Sequence, residues 1–282
     1  MRGKSRAHLL EADDGCCYVV KFANNPQGGR RVLVNESIGS MLLTHLGLAT
    51  PERAVVRICD LHGDDIASLP AGLHFGSRYP GMPDTVAVYD FFPAALMTKV
   101  SNREHLIGAL MFDLWVSNAD PRQAIFFRPV IAADVPTPAA QGWVAQLIDN
   151  GSLFAGKAWT FRDSVVQGAC LRHAAYGPDV SIHAFAPWVD ALMDLRFDVL
   201  DEVFAQIPPD WVHGDEQALK ALLVRLYKRR VQIPHMLEQA VQSLRASHNV
   251  LSPLPRYRCN TETRCSVEPD PGGPKGSTLL SP

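Results

Sequence analysis

Two aspartates in similar surroundings lie 29 residues apart in the middle of the sequence. Asp120 follows an apolar run that ends in Val-Ser-Asn-Ala, and Asp149 follows Val-Ala-Gln-Leu-Ile and precedes Asn-Gly. Transfer of a phosphoryl group from a magnesium nucleotide needs one carboxylate near the attacking hydroxyl and another on the metal. The pair therefore indicates this class of chemistry, with Asp120 as the catalytic carboxylate and Asp149 as the metal ligand.

The residues after Asp120 extend this hypothesis. Pro121 disfavours a helical conformation at Asp120, so the carboxylate is expected in a turn just past a helix. Arg122 would balance the carboxylates or a phosphate, and Gln123 would offer its amide oxygen to Mg²⁺. An alternative stays open for both aspartates, because Asp and Asn residues commonly form turns without any catalytic role.

A lysine and a glutamate form the second candidate pair. Lys21 ends the predicted strand Cys-Cys-Tyr-Val-Val-Lys, and Glu36 lies 15 residues later on a predicted helix. Apolar residues flank Glu36, and a carboxylate at the border of a buried face usually needs a partner. The sequence predicts that Glu36 holds the ammonium of Lys21 near nucleotide phosphates. The alternative is an outward-facing lysine on an alternating strand.

Two further candidates rest on weaker signals. Gly3, Lys4 and Ser5 could bind phosphates through backbone amides and a basic side chain, or could be a frayed basic terminus. A phosphate clamp normally hangs between two strands, and the first of these is missing because the chain starts at Met1. Asp90 lies where two parts of the chain would join, and it is either an adenine contact or a plain connector.

The N-terminal third has the pattern of a small sheet with one helix. Apolar-rich segments at 7–11 and 16–22 flank Asp-Asp-Gly, which is a strong hairpin signal. The segment 30–47 has helical apolar spacing and ends at a glycine. Strands are predicted at 53–59 and 85–91. The resulting order is β-β-α-β-β.

The rest of the chain reads as mostly helical. A helix is predicted at 102–117, followed by a strand hairpin at 124–128 and 143–149. Further helices are predicted at 187–206, 215–230 and 233–246. Together these elements predict an α+β fold with a β-sheet lobe at 1–92, a larger helical lobe at 93–248 and a disordered tail at 249–282.

Composition excludes several other classes. The chain has 282 residues, 47% of them hydrophobic and 20% charged, and a net charge of -2, so no nucleic acid partner is expected. No apolar run reaches the ~20 residues that a membrane span needs, and no secretory signal follows the charged N-terminus. Six cysteines without zinc spacing predict a reducing, cytoplasmic location.

Taken in order, these segments resemble the HipA-like kinase family, and more distantly the phosphatidylinositol kinases and protein kinases. The resemblance implies a two-lobed protein-kinase-like fold that uses ATP and Mg²⁺. It also implies that Lys21 contacts phosphates, Glu36 holds Lys21, Asp120 is the catalytic carboxylate and Asp149 is the main metal ligand. The expected activity is transfer of the γ-phosphoryl group to a hydroxyl, with protein Ser/Thr as the preferred acceptor.

The sequence departs from the family pattern at three places. Related kinases usually have an Asn about five residues after the catalytic Asp, where this chain has Ile125, and Gln123 is the candidate substitute. Pro121 stands where relatives often have Arg or His. The extra N-terminal subdomain of the toxin-type members has no room here, so a toxin role is not inherited. A pseudokinase that binds nucleotide or serves as a scaffold is the alternative, because of Ile125, the single glycine in the loop at Gly3 and the missing first strand. A helical interaction protein is a third hypothesis.

Overall fold

The computed structural model describes residues 6–26, 28–59, 69–129, 142–161 and 181–250. The predicted phosphate-binding residues Gly3, Lys4 and Ser5 lie outside the described residues. Most of the predicted tail, from residue 251 onward, also lies outside them.

A four-stranded antiparallel sheet forms the N-terminal part. Its strands are β1 (His8–Glu11), β2 (Cys17–Lys21), β3 (Arg53–Ile58) and β4 (Gly72–Arg78), and their spatial order is β1-β2-β4-β3. The predicted β1–β2 hairpin is confirmed. Its turn contains Gly15 with a φ of 73°, a left-handed conformation that glycine adopts without strain.

The fourth strand is not where the sequence pattern placed it. The predicted strand at 85–91 is wrong, because that segment makes only an isolated bridge at Tyr89. The strand β4 lies earlier, between the two segments that were predicted as strands. Gly76 lies in the middle of β4, where a larger residue would not fit. A Cβ at this position would come within 2.7 Å of the Val56 side chain. The glycine is thus a packing requirement rather than a turn signal.

Helix α1 (Arg30–His45) packs against this sheet and also against the C-terminal part of the chain. The helix ends just before Gly47, which has a φ of 69°, as the glycine signal predicted. Its buried apolar side chains belong to one apolar cluster that continues into the C-terminal part; they include Leu33, Val34, Ile38, Leu42 and Leu43. The helix therefore links the sheet to the rest of the molecule.

Helix α2 (Glu104–Val116) is the central element of the C-terminal part, and nearly all of its residues are buried. The buried guanidinium of Arg229 donates to the carbonyl oxygens of Trp115 (3.1 Å) and Leu114 (3.3 Å). A cation at this end of a helix satisfies carbonyls that have no partner within the helix. The arginine thereby fixes the end of α2 from which the segment containing Asp120 departs.

A two-stranded hairpin follows α2, formed by β5 (Gln123–Phe127) and β6 (Val144–Ile148). In its register Gln123 pairs with Ile148, so Gln123 lies opposite the end of the strand that precedes Asp149. This hairpin was predicted from the sequence and is confirmed. The remaining α-helices within the described residues are α3 (Ala186–Met193), α4 (Phe197–Ala205), α5 (Pro209–Val212), α6 (Glu216–Arg229) and α7 (Ile233–Val250).

The predicted single helix at 187–206 is two helices, α3 and α4. Between them Arg196 has an extended conformation, with φ of -84° and ψ of 151°, and Leu195 turns into the core with 2% exposure. The interruption between α3 and α4 therefore allows the Leu195 side chain to be buried.

The predicted α+β class is confirmed in its coarse form, a small antiparallel sheet with several helices. Among the described residues, no helix has the length and apolar character to cross a membrane.

Candidate functional site

Three of the predicted residues meet in one place. The ammonium of Lys21 donates to Glu36 Oε1 and, at 2.7 Å, to Asp149 Oδ1. These residues come from the end of β2, the middle of α1 and the end of β6, and Asp149 is 128 positions from Lys21 in the sequence. Glu36 is almost fully buried, whereas Asp149 keeps a side-chain exposure of 32%. The cluster thus has a buried end and an open end.

Burial and the neighbouring charges shift the pKa values of Lys21 and Glu36. Burial by itself lowers the pKa of Lys21, but the nearby carboxylates of Glu36 and Asp149 more than offset burial and leave the pKa above its usual range. Burial raises the pKa of the Glu36 carboxyl, and the Lys21 ammonium opposes that rise. Lys21 is therefore a permanently charged group at neutral pH, which suits contact with an anion.

The backbone around Asp149 presents its carboxylate to Lys21. Asp149 has a φ of 63°, a left-handed conformation that is unusual outside glycine and that tends to persist where the surroundings enforce it. The next amide, of Asn150, donates to Glu36 Oε2 at 2.9 Å. Glu36 therefore holds both the ammonium and the backbone beside Asp149. The tight approach leaves little room at Gly151, where a Cβ would lie 3.1 Å from Glu36.

Gln123 lies beside the same carboxylate, but through its nitrogen. Its Nε2 donates to Asp149 Oδ2 at 2.8 Å. The predicted role of Gln123 requires its amide oxygen, and not its nitrogen, to face the metal. A rotation of the side-chain amide by 180° would exchange the two atoms. The structure thus places Gln123 beside Asp149, and its role as a metal ligand stays a prediction.

Asp120 is exposed and faces the segment that follows Asp149. The hydroxyl of Ser152 donates to Asp120 Oδ2, and the amide of Ala119 donates to the carbonyl of Ser152 at 3.0 Å. The two predicted acidic residues are therefore connected through the short segment 149–152. The described contacts of Asp120 are with this segment and with Asn118, and none of them is a direct bond to Lys21.

Arg122 is buried, and its contacts favour an anchoring role over the predicted catalytic one. Its guanidinium forms an ion pair with Asp113, and the two side chains have exposures of 3% and 0%. It also donates to the Ile148 carbonyl at 3.0 Å and to Asn150 Oδ1 at 2.7 Å, on either side of Asp149. Burial raises the pKa of Asp113, which the arginine opposes. The catalytic assignment of Arg122 stays a prediction.

Asn35 is a site residue that sequence reasoning missed. It is fully buried, and its Nδ2 lies within 2.9–3.1 Å of the carbonyl oxygens of Gly151, Leu153 and Gly156. Its Oδ1 accepts a hydrogen bond of 2.9 Å from the Trp159 indole. A polar residue directly before Glu36 in an apolar helix was the available signal, since buried amides need partners. Asn35 fixes the course of the chain after Asp149.

Arg31 binds the same segment one helical turn earlier. Its guanidinium pairs with Asp215 through two hydrogen bonds of 2.5 and 2.7 Å, donates to the Lys157 carbonyl at 2.7 Å and lies 4.4 Å from the Trp159 ring centre. Arg31, Asn35 and position 39 share one face of α1, because residues four apart in a helix lie above each other. This face positions the chain from Asp149 to Trp159.

A glycine on that face gives a test of how closely the two segments must approach. A Cβ at Gly39 would lie 2.5 Å from both Cβ and Cγ of Asn150 and 2.8 Å from Leu153. We expect Gly39→Ala to destabilise the fold by about 1–3 kcal/mol, the usual cost of overpacking, although alanine is the better helix former. Urea denaturation monitored by circular dichroism measures this.

The matched control for Gly39→Ala is Thr44→Ala, an exposed position in the same helix. It improves helix propensity without a new contact, and its effect should stay within about 0.5 kcal/mol. Equal or higher stability of Gly39→Ala relative to the unaltered chain would contradict the packing of α1 against Asn150.

A cavity of about 550 Å³ lies at the other end of β2. Cys17 lines the cavity, and it is on the same face of the strand as Lys21, four residues away, or about 13 Å at the rise of a β-strand. Its lining comes from the β1–β2 turn, the segment before β3, the end of β4 with the residues after it, and the β5–β6 hairpin; it includes Cys16, Glu52, Arg78, Tyr79, Met82, Phe127 and Gln146.

Asp90 is not among the residues that line this cavity. It is exposed and follows Tyr89, whose backbone bridges to Phe126. Its predicted contact with adenine stays a prediction. Within the described ranges, no three or more His, Cys, Asp and Glu side chains are grouped so that they could hold a metal ion by themselves.

The N-terminal part of the chain is similar to a known protein family. The family model described as "HipA-like kinase" matches residues 1–125. The predicted resemblance to that family is therefore confirmed over this part of the chain. The match includes Lys21, Glu36 and Asp120 and ends before Asp149, which the structure brings to Lys21. No curated protein matches the chain.

Proposed function

We propose that the protein is an ATP-dependent kinase that transfers the γ-phosphoryl group to a hydroxyl, with protein Ser/Thr as the preferred acceptor. In this proposal the sheet and α1 (residues 1–92) form the smaller lobe, and residues 93–248 form the larger one. The observation that carries the proposal is the meeting of Lys21, Glu36 and Asp149. These are the types of residue that position and neutralise phosphates in phosphoryl transfer.

The cavity supports one orientation of the nucleotide. The triphosphate would lie against the Lys21 ammonium, and the nucleoside would extend along β2 toward the cavity that Cys17 and Phe127 line. The ~13 Å between the two ends of the strand separates a charged region from a partly apolar one. This division suits a ligand with an anionic end and an aromatic end.

In the proposed mechanism the residues of the chain act mainly by position and charge. Lys21 exchanges its contact with Asp149 for phosphate oxygens while Glu36 continues to hold it. Asp149 is the carboxylate that would hold Mg²⁺, a hard ion that prefers oxygen ligands, and its partly exposed side chain fits that role. Bound Mg²⁺ supplies neutralisation of phosphate charge. Asp120 accepts the proton of the attacking hydroxyl, and its exposure suits an acceptor on another molecule.

The second candidate function is a pseudokinase that binds nucleotide without turnover. It is favoured by Ile125, which is 6% exposed in β5, where related kinases usually have a metal-binding Asn. An isoleucine offers no oxygen ligand, so a second metal contact would depend on Gln123. The two candidates share the nucleotide site and differ in chemistry.

A thermal-shift experiment tests the shared nucleotide site. ATP with Mg²⁺ at one hundred times its dissociation constant should stabilise the protein by about 2.7 kcal/mol, since only the folded state binds. Lys21→Met should remove this shift, because the phosphates lose their cation. Lys228→Met, a substitution of an exposed lysine in α6, is the control and should retain it.

Activity then separates the two candidates. A shift together with ATP consumption or phosphoryl transfer supports the kinase, and a shift without either supports the pseudokinase. No shift at millimolar ATP and Mg²⁺ would contradict both.

The protein is proposed to work in a reducing compartment such as the cytoplasm, in keeping with the free thiols of Cys16, Cys17 and Cys59.

A further inference from the structure

We propose that the kinase phosphorylates its own Ser152. This inference rests on the proposed function and names an acceptor for it. The Ser152 hydroxyl donates to Asp120 Oδ2, the carboxylate that would activate an attacking hydroxyl. A general base must lie within hydrogen-bond reach of the proton that it removes. Ser152 therefore occupies the position that an acceptor hydroxyl needs.

The backbone holds Ser152 in that position. Its carbonyl accepts from the Ala119 amide at 3.0 Å and from the Gly156 amide at 3.2 Å. On either side, Asn35 donates to the carbonyls of Gly151 and Leu153. The contact between Ser152 and Asp120 is thus supported by a network of hydrogen bonds and is not an isolated surface contact.

Several other serine and threonine hydroxyls in the described part of the chain donate to backbone carbonyls. Thr50 donates to the Leu147 carbonyl at 2.9 Å, and Ser101 donates to the Trp143 carbonyl at 3.1 Å. A backbone carbonyl cannot take up the proton of an attacking hydroxyl, whereas a carboxylate can. Tyr18 donates to a carboxylate as well, Asp14 Oδ2 at the β1–β2 turn, so what distinguishes Ser152 is that its carboxylate partner is Asp120.

The phosphoryl donor would be within reach of Ser152. Ser152 is three residues after Asp149, so their Cα atoms are at most about 10 Å apart. Ser152 is half-buried and Asp120 is exposed, so neither residue is enclosed in the core. A nucleotide whose phosphates lie against Lys21 and Asp149 would present its γ-phosphate near this segment.

The proposed step is a phosphoryl transfer within one chain. The Ser152 oxygen forms a bond to the γ-phosphorus, and the bond between that phosphorus and the oxygen bridging to the β-phosphate breaks. The bridging oxygen keeps the electron pair and leaves as part of ADP, while Asp120 takes the hydroxyl proton. The product carries about -1.5 to -2 charges beside Asp120 and Asp149, so repulsion disfavours a second turnover. The reaction therefore stops near one phosphate per chain.

Mass spectrometry of the full chain incubated with ATP and Mg²⁺ tests the proposal. We expect up to one phosphate per chain, mapped to Ser152, and a rate per chain that is unchanged over a hundredfold dilution. Ser152→Ala should abolish the modification, and Ser152→Thr, which keeps a hydroxyl, should restore it as phosphothreonine. Ser101→Ala is the control and should remain modified at Ser152. Asp120→Asn should slow the reaction at least about a hundredfold.

Thermal shifts with nucleotide in the same samples separate failure of this proposal from failure of the proposed function. Nucleotide binding without phosphate on Ser152, or phosphate on another residue, would overturn the inference and leave the nucleotide site standing. A rate per chain that falls in proportion to dilution would overturn transfer within one chain. Absence of nucleotide binding would overturn the proposed function and this inference with it. Mapping in the unaltered chain remains decisive if a variant fails to fold.

Discussion

Asp149→Asn is expected to lower the rate of phosphoryl transfer by about 10²- to 10³-fold, the usual cost of removing one group that neutralises charge in a transition state. Asparagine keeps the shape of the side chain but removes the charge that pairs with Lys21 and would hold Mg²⁺. Nucleotide affinity should change much less, because Lys21 and Glu36 remain. Single-turnover kinetics with labelled ATP, together with calorimetric titration of nucleotide, measure the two quantities separately.

The control for this substitution is Asp201→Asn, which alters an exposed aspartate in α4. It removes the same charge at a distance from the cluster and should leave both quantities unchanged. If Asp149→Asn transferred phosphate at the rate of the unaltered chain, the assignment of Asp149 as the metal-binding carboxylate would be wrong.

Arg122→Met is expected to destabilise the fold by about 3–5 kcal/mol, because it leaves the Asp113 carboxylate buried without its cation. The loss should appear in urea denaturation as a lower midpoint with little change in slope. Because Arg122 also binds Ile148 and Asn150 beside Asp149, any folded protein that remains should bind nucleotide more weakly.

The double variant Arg122→Met, Asp113→Leu tests the cause of this loss. Replacing both members of a buried ion pair with apolar residues is often close to neutral, so the double variant should regain most of the stability. A single substitution that costs less than about 1 kcal/mol, or a double variant as unstable as the single one, would mean that the buried charge is not the reason.

The central cluster was predictable because local patterns fixed the position of each member. Lys21 ends an apolar strand, Glu36 borders the buried face of a helix, and Asp149 ends a second strand before a glycine turn. Each of these positions follows from periodicity and turn chemistry. The need of a buried carboxylate for a partner predicted the pairing of Glu36 with Lys21, and the resemblance to kinases placed Asp149 in the same site.

The missed features depend on contacts between distant segments. β4 has glycines at positions 72 and 76, which resemble a connector until Val56 is seen packing over Gly76. Asn35 acquires its role only when the chain after Asp149 lies against α1. Asp113 is instructive, since an acid within an apolar helix signals a buried partner by the same reasoning that was applied to Glu36.

The two oxygens of Glu36 have different partners, the ammonium of Lys21 and the amide of Asn150. A shift of α1 along its axis by one residue, about 1.5 Å, would break both hydrogen bonds at the same moment. Glu36 therefore couples the position of the Lys21 ammonium to that of the chain beside Asp149, so that neither loses this support without the other when α1 moves.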